Sequence, residues 1–162
     1  MARDCFFEKG IRFECTGCGE CCKTHGDEDE YAFVYLSDRD VARISAHLGL
    51  SKVAFLNKYC STDEGGDTHL AGLVGDCAFL EEGTRCIVYP VRPMQCRTWP
   101  FWTENLSKEI WEGPVTACCP GIGRGRRYTK TEILSICRER DEWYAGDDGK
   151  VVPIRDKKDA EP

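Results

Sequence analysis

Apolar residues in this chain come in short bursts separated by glycines and acidic stretches. Tyr31-Ala32-Phe33-Val34-Tyr35-Leu36 is aromatic and β-branched and predicts a short strand. Ser37 then suits a helix N-cap, with Asp38 and Asp40 in the first turn. Val41, Ile44 and Leu48 recur at helical spacing, and Gly49 is a stop. Ser51 opens a second short helix whose apolar face is read as Val53, Leu56 and Cys60. Residues 61–67 are a loop by composition. Beyond them one or two strands are expected between Leu70 and Leu80, a turn at Glu81-Glu82-Gly83, and a partner strand from Thr84 to Tyr89. Pro93 fits the first position of a helical turn carrying Cys96 and Arg97. The last helix starts after Thr129, with Glu132 completing a capping box and Ile133, Ile136, Cys137 and Arg140 along one side.

These elements are short, and loops connect them. The expected fold class is α+β: a small loop-rich single domain, with short helices and a β-hairpin around a cysteine-ligated metal centre. The domain is expected over residues 1–145. Residues 146–162, charged and poor in apolar side chains, read as a loose tail.

Composition changes the picture at one point. A chain of 162 residues can bury roughly 70% of its unfolded surface and needs no cross-links, yet this one carries twelve cysteines. Nothing at the start resembles an export signal, and no stretch approaches the ~18 apolar residues of a membrane helix. The expected compartment is therefore a reducing cytoplasm, where abundant thiols point to metal more than to disulfides. The net charge of −6, from 22 basic and 28 acidic side chains, argues against nucleic-acid binding and gives no reason to expect a membrane partner. The local exception, Arg124-Gly125-Arg126-Arg127, reads as a solvated turn.

The densest chemistry is Cys15-Thr16-Gly17-Cys18-Gly19-Glu20-Cys21-Cys22, four thiols in eight residues. Thiolates this close repel one another unless a cation joins them. On an extended backbone Cys21 and Cys22 point different ways, which assigns one of them to a second centre or to the core. Cys77, Cys86, Cys96, Cys118 and Cys119 also fall in loops, turns or hairpin ends, where chelating residues commonly sit. Cys60 and Cys137 fall on apolar helix faces and read as small buried hydrophobes; Cys5 has no partner spacing. His25 is a conceivable substitute ligand, whereas His47 and His69 read as structural or exposed. Arg92 and Arg97, flanking Cys96, are read either as salt-bridge partners or as donors to thiolate or sulfide. Gly121, Gly123 and Gly125 read as turn residues more readily than as a phosphate cradle.

The ordered elements together resemble a known family. They comprise Phe13-x-Cys15-x-x-Cys18-Gly19-x-Cys21-Cys22, then Leu36-Ser37-x-x-Asp40-x-x-Arg43-Ile44-x-x-x-Leu48-Gly49, then Cys77-x-Phe79-Leu80. They continue as Cys86-x-Val88-Tyr89-x-x-Arg92-Pro93-x-x-Cys96-Arg97-x-x-Pro100-Phe101 and end in Cys119-Pro120-Gly121-Ile122-Gly123-x-Gly125. Over roughly residues 13–125 the chain is similar to the YkgJ-type cysteine-cluster family, whose description is zinc or iron chelation. The resemblance implies eight cysteines as the metal or cofactor set: Cys15, Cys18, Cys21, Cys22, Cys77, Cys86, Cys96 and Cys119. Cys118 is an extra neighbour.

Zinc commonly takes four thiolates from two Cys-x-x-Cys knuckles, and the second knuckle is missing here. Iron–sulfur clusters more often use a tight run plus a distant cysteine beside proline; Cys15, Cys18 and Cys21 with Cys119-Pro120 have that outline. An iron–sulfur cofactor is therefore favoured over zinc. The expected function is metal binding with a redox, electron-transfer or accessory role, and the expected partners are a metal ion or cluster and a redox or enzyme protein. Two alternatives stand beside it. One is a structural zinc protein or metal carrier. The other is part of a protein-modifying enzyme system, because a similar cysteine motif occurs in flagellin lysine N-methylase. No catalytic triad, paired carboxylate or nucleotide pocket stands out, so enzymatic activity and catalytic residues stay open.

Overall fold

The computed structural model describes residues 5–23, 33–71 and 76–145. His25, the acidic stretch 26–30, Tyr31 and Ala32, and the tail expected at 146–162 lie outside the described residues. Strand β1 (Ile11–Phe13) is followed by a tight helical turn at Glu20–Cys22, then by α1 (Asp38–His47) and α2 (Lys52–Tyr59). Two short hairpins follow, β2 (Cys60–Thr62) with β3 (Thr68–Leu70), and β4 (Leu80–Glu81) with β5 (Arg85–Cys86). After a turn at Tyr89–Val91 come α3 (Met94–Thr98), α4 (Lys108–Ile110), α5 (Thr116–Cys118), β6 (Ile122–Tyr128) and α6 (Lys130–Ala145). The architecture is mixed α+β, built from helices and antiparallel strand pairs.

Local signals set the helix starts. Ser37 Oγ accepts from the Asp40 amide at 3.1 Å while the Asp40 carboxylate accepts from the Ser37 amide at 3.2 Å, a reciprocal capping box. Thr129 and Glu132 form the same box at the head of α6, with the Thr129 amide donating to the Glu132 carboxylate at 2.7 Å. Pro93 stands one position before α3, as its N-cap. Between α4 and α5 the chain widens through Trp111–Val115, and Gly113 leaves the helical region (φ −95°, ψ −108°) just before Pro114. Proline disfavours helical backbone in the residue ahead of it, and glycine accommodates the alternative.

Several expectations are corrected. The strand over Tyr31–Leu36 is, in its described part, a single bridge from Tyr35 to His69. The loop expected over 61–67 is shorter: Ser61 and Thr62 belong to β2 and pair with His69 and Thr68 of β3. On α2 the buried anchor is Phe55, wholly inaccessible, while Val53 is 57% exposed and Cys60 begins β2. The basic run 124–127 is no turn: it lies within β6, antiparallel to β1. Local composition cannot report that pairing, because the partner strand lies at the opposite end of the domain.

Two apolar clusters hold these pieces together. The first gathers Phe13, Phe101, Trp111, Cys119, Ile133 and Cys137 under the β1–β6 pair and α6. The second gathers Leu36, Val41, Ile44, Phe55, Phe79 and Val88 beneath α1 and α2. Burying each such side chain contributes roughly 1.5–3 kcal/mol. Arg140 is buried on α6, where its guanidinium donates to both Glu104 carboxylate oxygens at 2.6 and 2.8 Å.

Candidate metal centre

The first cysteine motif follows β1. The Glu14 amide donates to the Gly121 carbonyl at 3.1 Å, so the loop leaves the sheet alongside the segment after Cys119. A side chain at Gly121 would put its Cβ 2.1 Å from the Glu14 carbonyl oxygen, so this approach needs glycine. Gly19 is left-handed (φ 77°), and a Cβ there would fall 2.6 Å from the Gly83 carbonyl. The loop thereby rests on the β4–β5 turn, and the chain curls into the Glu20–Cys22 turn, closed by the Cys22 amide on the Gly19 carbonyl at 2.9 Å. The expectation that adjacent Cys21 and Cys22 point apart is corrected here. In this turn their sulfurs stand 3.9 Å from each other.

The other thiols arrive from the hairpin and α3. The Cys77 amide donates to the Cys22 carbonyl at 2.7 Å, and Cys86 pairs with Leu80 across β4–β5. Cys15, Cys21, Cys22, Cys77, Cys86 and Cys96 line one cavity of about 60 Å³. Its wall includes Leu70, Phe79 and Val88, continuous with the second apolar cluster, together with Tyr89 and Arg92. Cys18 and Cys119 do not line it. Cys119 is buried in the first apolar cluster, and its neighbour Cys118 lines a separate hollow of about 170 Å³ with Cys21 and Cys96. Among the described residues no three His, Cys, Asp or Glu groups stand close enough to hold a metal ion as they are; the six sulfurs surround the cavity without closing on one point.

The cavity thiols divide: Cys21 and Cys77 are shifted toward thiolate, while Cys22, Cys86 and Cys96 are shifted toward thiol. Hydrogen bonding to Cys22 lowers Cys21 and Cys77 to about 7 against an ordinary 9.0, while the same contacts push Cys22 up. The Arg92 guanidinium lowers Cys21 further. Burial pushes Cys86 and Cys96 the other way. A cation in such a cavity replaces the shared protons and holds the sulfurs as thiolates. The donor set fits a thiophilic metal: tetrahedral Zn–S bonds of about 2.3 Å put neighbouring sulfurs about 3.8 Å apart, close to the Cys21–Cys22 separation.

Residues around the site have definite partners. Arg97 pairs with Glu139 at 3.2 Å. Arg92 lies 3.8 Å over the Tyr89 ring and donates from Nε to the Tyr89 carbonyl at 3.1 Å. His47 contacts the Ile87 carbonyl through Nε2 at 3.0 Å, and buried His69 contacts the Leu70 carbonyl through Nδ1 at 2.9 Å; neither lines the cavity. Cys60 packs on the second cluster with its thiol pushed up to about 12 by burial, and the Cys137 thiol donates to the Phe101 carbonyl at 3.2 Å. Tyr89 is a member that sequence reasoning passed over: its phenol interacts with Cys15. Its sequence signal was its place in the family pattern, between Cys86 and Arg92.

No solved structure matches the chain. Residues 14–119, well over half of it, match the family described as "CxxCxxCC: Putative zinc- or iron-chelating domain". That span runs from the residue before Cys15 to Cys119 and takes in all six cavity cysteines. With its thiols arranged around one cavity, the chain belongs to this cysteine-cluster family.

Proposed function

We propose that this protein binds iron or zinc through cysteine thiolates in the cavity between the first motif and the β4–β5 hairpin, and that the centre serves a redox or accessory role toward a partner protein. The observation carrying the reading is that six cysteines from three separate parts of the chain line one cavity. Cys21, Cys22 and Cys77 form the nucleus of the ligand set; Cys15, Cys86 and Cys96 supply the remaining thiolates. Cys18 and Cys119, from the eight-cysteine set, would belong to a second centre or to the supporting shell. Bound iron supplies one-electron chemistry; with zinc, the same thiolates form a closed structural site.

The Cys21–Cys22 separation also bears on nuclearity. Two sulfurs 3.9 Å apart suit ligation of one metal atom, as in an ion held by four thiolates or at one iron of a two-iron cluster; a cubane takes one thiolate per iron. In the iron reading, Arg92 neutralises thiolate charge and raises the potential, while the apolar wall limits water. The structural-zinc reading is compatible with the same tetrahedral spacing.

Anaerobic purification with metal analysis and visible spectroscopy tests these readings together. A brown protein bleached reversibly by dithionite supports the iron–sulfur redox reading. Stoichiometric zinc without colour rejects it in favour of structural zinc. Absence of both metals contradicts the proposal.

A further inference from the structure

A second, larger hollow of about 450 Å³ adjoins the metal cavity, sharing Cys15, Tyr89 and Arg92 with it. Its size falls within the ordinary range for small-molecule sites. Trp99 and Tyr128, backed by buried Phe101, supply aromatic wall, and Arg92, Arg97 and Arg126 supply guanidinium groups. Two of these cations are already matched: Arg97 by Glu139 at 3.2 Å, and Arg126 by Glu132 at 2.8 Å while it stacks 3.6 Å over Tyr128. Arg92 has no carboxylate partner among the described residues, although its stacking on Tyr89 fixes it in the wall common to both hollows. Glu14 is the single acidic residue of the lining.

We infer that this hollow binds a planar aromatic monocarboxylate, its ring against Trp99 and Tyr128 and its carboxylate on Arg92. A guanidinium with no carboxylate of its own presents a fork that matches carboxylate geometry. The aromatic wall takes the ligand body by ring stacking. One guanidinium without a carboxylate, shared with the thiols next to it and with Glu14 nearby, suits a single negative charge better than a dianion. The ligand would lie beside the metal centre and identifies the substrate or effector class of the proposed function. Ligand binding itself needs only the hollow.

The test is calorimetric titration of the full chain with indole-3-carboxylate, with metal content measured on the same samples. Binding is expected with a Kd at or below about 1 mM. Arg92→Gln should weaken it about tenfold, the effect of removing a charge-assisted pair. On the wild-type chain, neutral indole-3-carboxamide should bind about tenfold more weakly, an arm that holds even where the variant does not fold. Absence of binding at about 10 mM overturns the inference, well above the range expected of a formed site. So does equal affinity for the carboxamide, unchanged affinity in a folded Arg92→Gln, or tighter binding of dianionic phenylphosphonate. Metal retained without ligand binding removes this inference alone; ligand bound by a chain that takes up no metal removes the metal proposal alone.

Discussion

The amide of Cys77 donates to the carbonyl of Cys22 at 2.7 Å, so the first cysteine motif is fastened by its backbone to the hairpin that carries Cys86. The contact fixes where two distant sulfurs begin, independent of any metal. Ligation then has only side chains and short loops left to draw inward.

Thiols of the cavity and thiols of the cores should behave differently on substitution. Cys22→Ala and Cys77→Ala are expected to lower metal per chain well below the wild-type ratio, whereas Cys60→Ala, in the second apolar cluster, keeps it. Metal analysis after anaerobic desalting checks this. Equal loss in all three variants would break the division.

The metal-free protein should show two unusually acidic thiols. Cys21 and Cys77 are lowered to about 7 by hydrogen bonding to Cys22, so their thiolate fraction, and with it their alkylation rate, rises through neutral pH and levels off where an ordinary thiol is still mostly protonated. Cys60, at about 12, stays unreactive over that range. Peptide mapping after short iodoacetamide pulses between about pH 5 and 10 reads both; Arg92→Gln should move the Cys21 midpoint upward.

Metal removal should soften the site more than the fold. The first apolar cluster holds none of the six cavity cysteines and the second meets the cavity along one wall, while the six cysteines are left around an open cavity. Far-UV circular dichroism should change little. The melting temperature should fall by about 5–10 °C if metal is present at about 100 times its Kd, from the linkage of binding to folding. Complete unfolding of the metal-free chain would show that the cores cannot stand alone.

Phe55 and Val53 separate packing from surface on one short helix. Phe55→Ala should cost about 3–5 kcal/mol, because the ring is wholly buried and stacks on Phe79 at 6.3 Å. Val53→Ser, at a 57% exposed position, should stay within about 0.5 kcal/mol. Urea unfolding measures both. Phe79 lines the metal cavity, so Phe55→Ala should also weaken metal retention.

What the sequence disclosed follows the range of the forces involved. Ser37 with Asp40, and Thr129 with Glu132, act across three residues, so both capping boxes were legible. The turn after Pro93 was legible for the same reason, although Pro93 was expected at its first position and stands one residue earlier, as N-cap. The pairing of Ile11–Phe13 with β6 was not, since nothing within 124–127 records a partner so far away in the chain. On α2, eight residues offer too short a period to tell which apolar side chain faces inward, and Phe55 was passed over for Val53. The cysteines stood out by type and spacing, and six of the eight in the expected set line one cavity. Their grouping did not stand out: Cys21 and Cys22 turn together because Gly19 meets Gly83 across the loop, a contact between segments.

X-ray absorption at the metal edge of the anaerobically purified chain tests the central claim most directly. The account predicts iron or zinc with a first shell of sulfur at about 2.3 Å, lost in Cys22→Ala. A first shell of oxygen and nitrogen, or the same sulfur shell in Cys22→Ala, would contradict it.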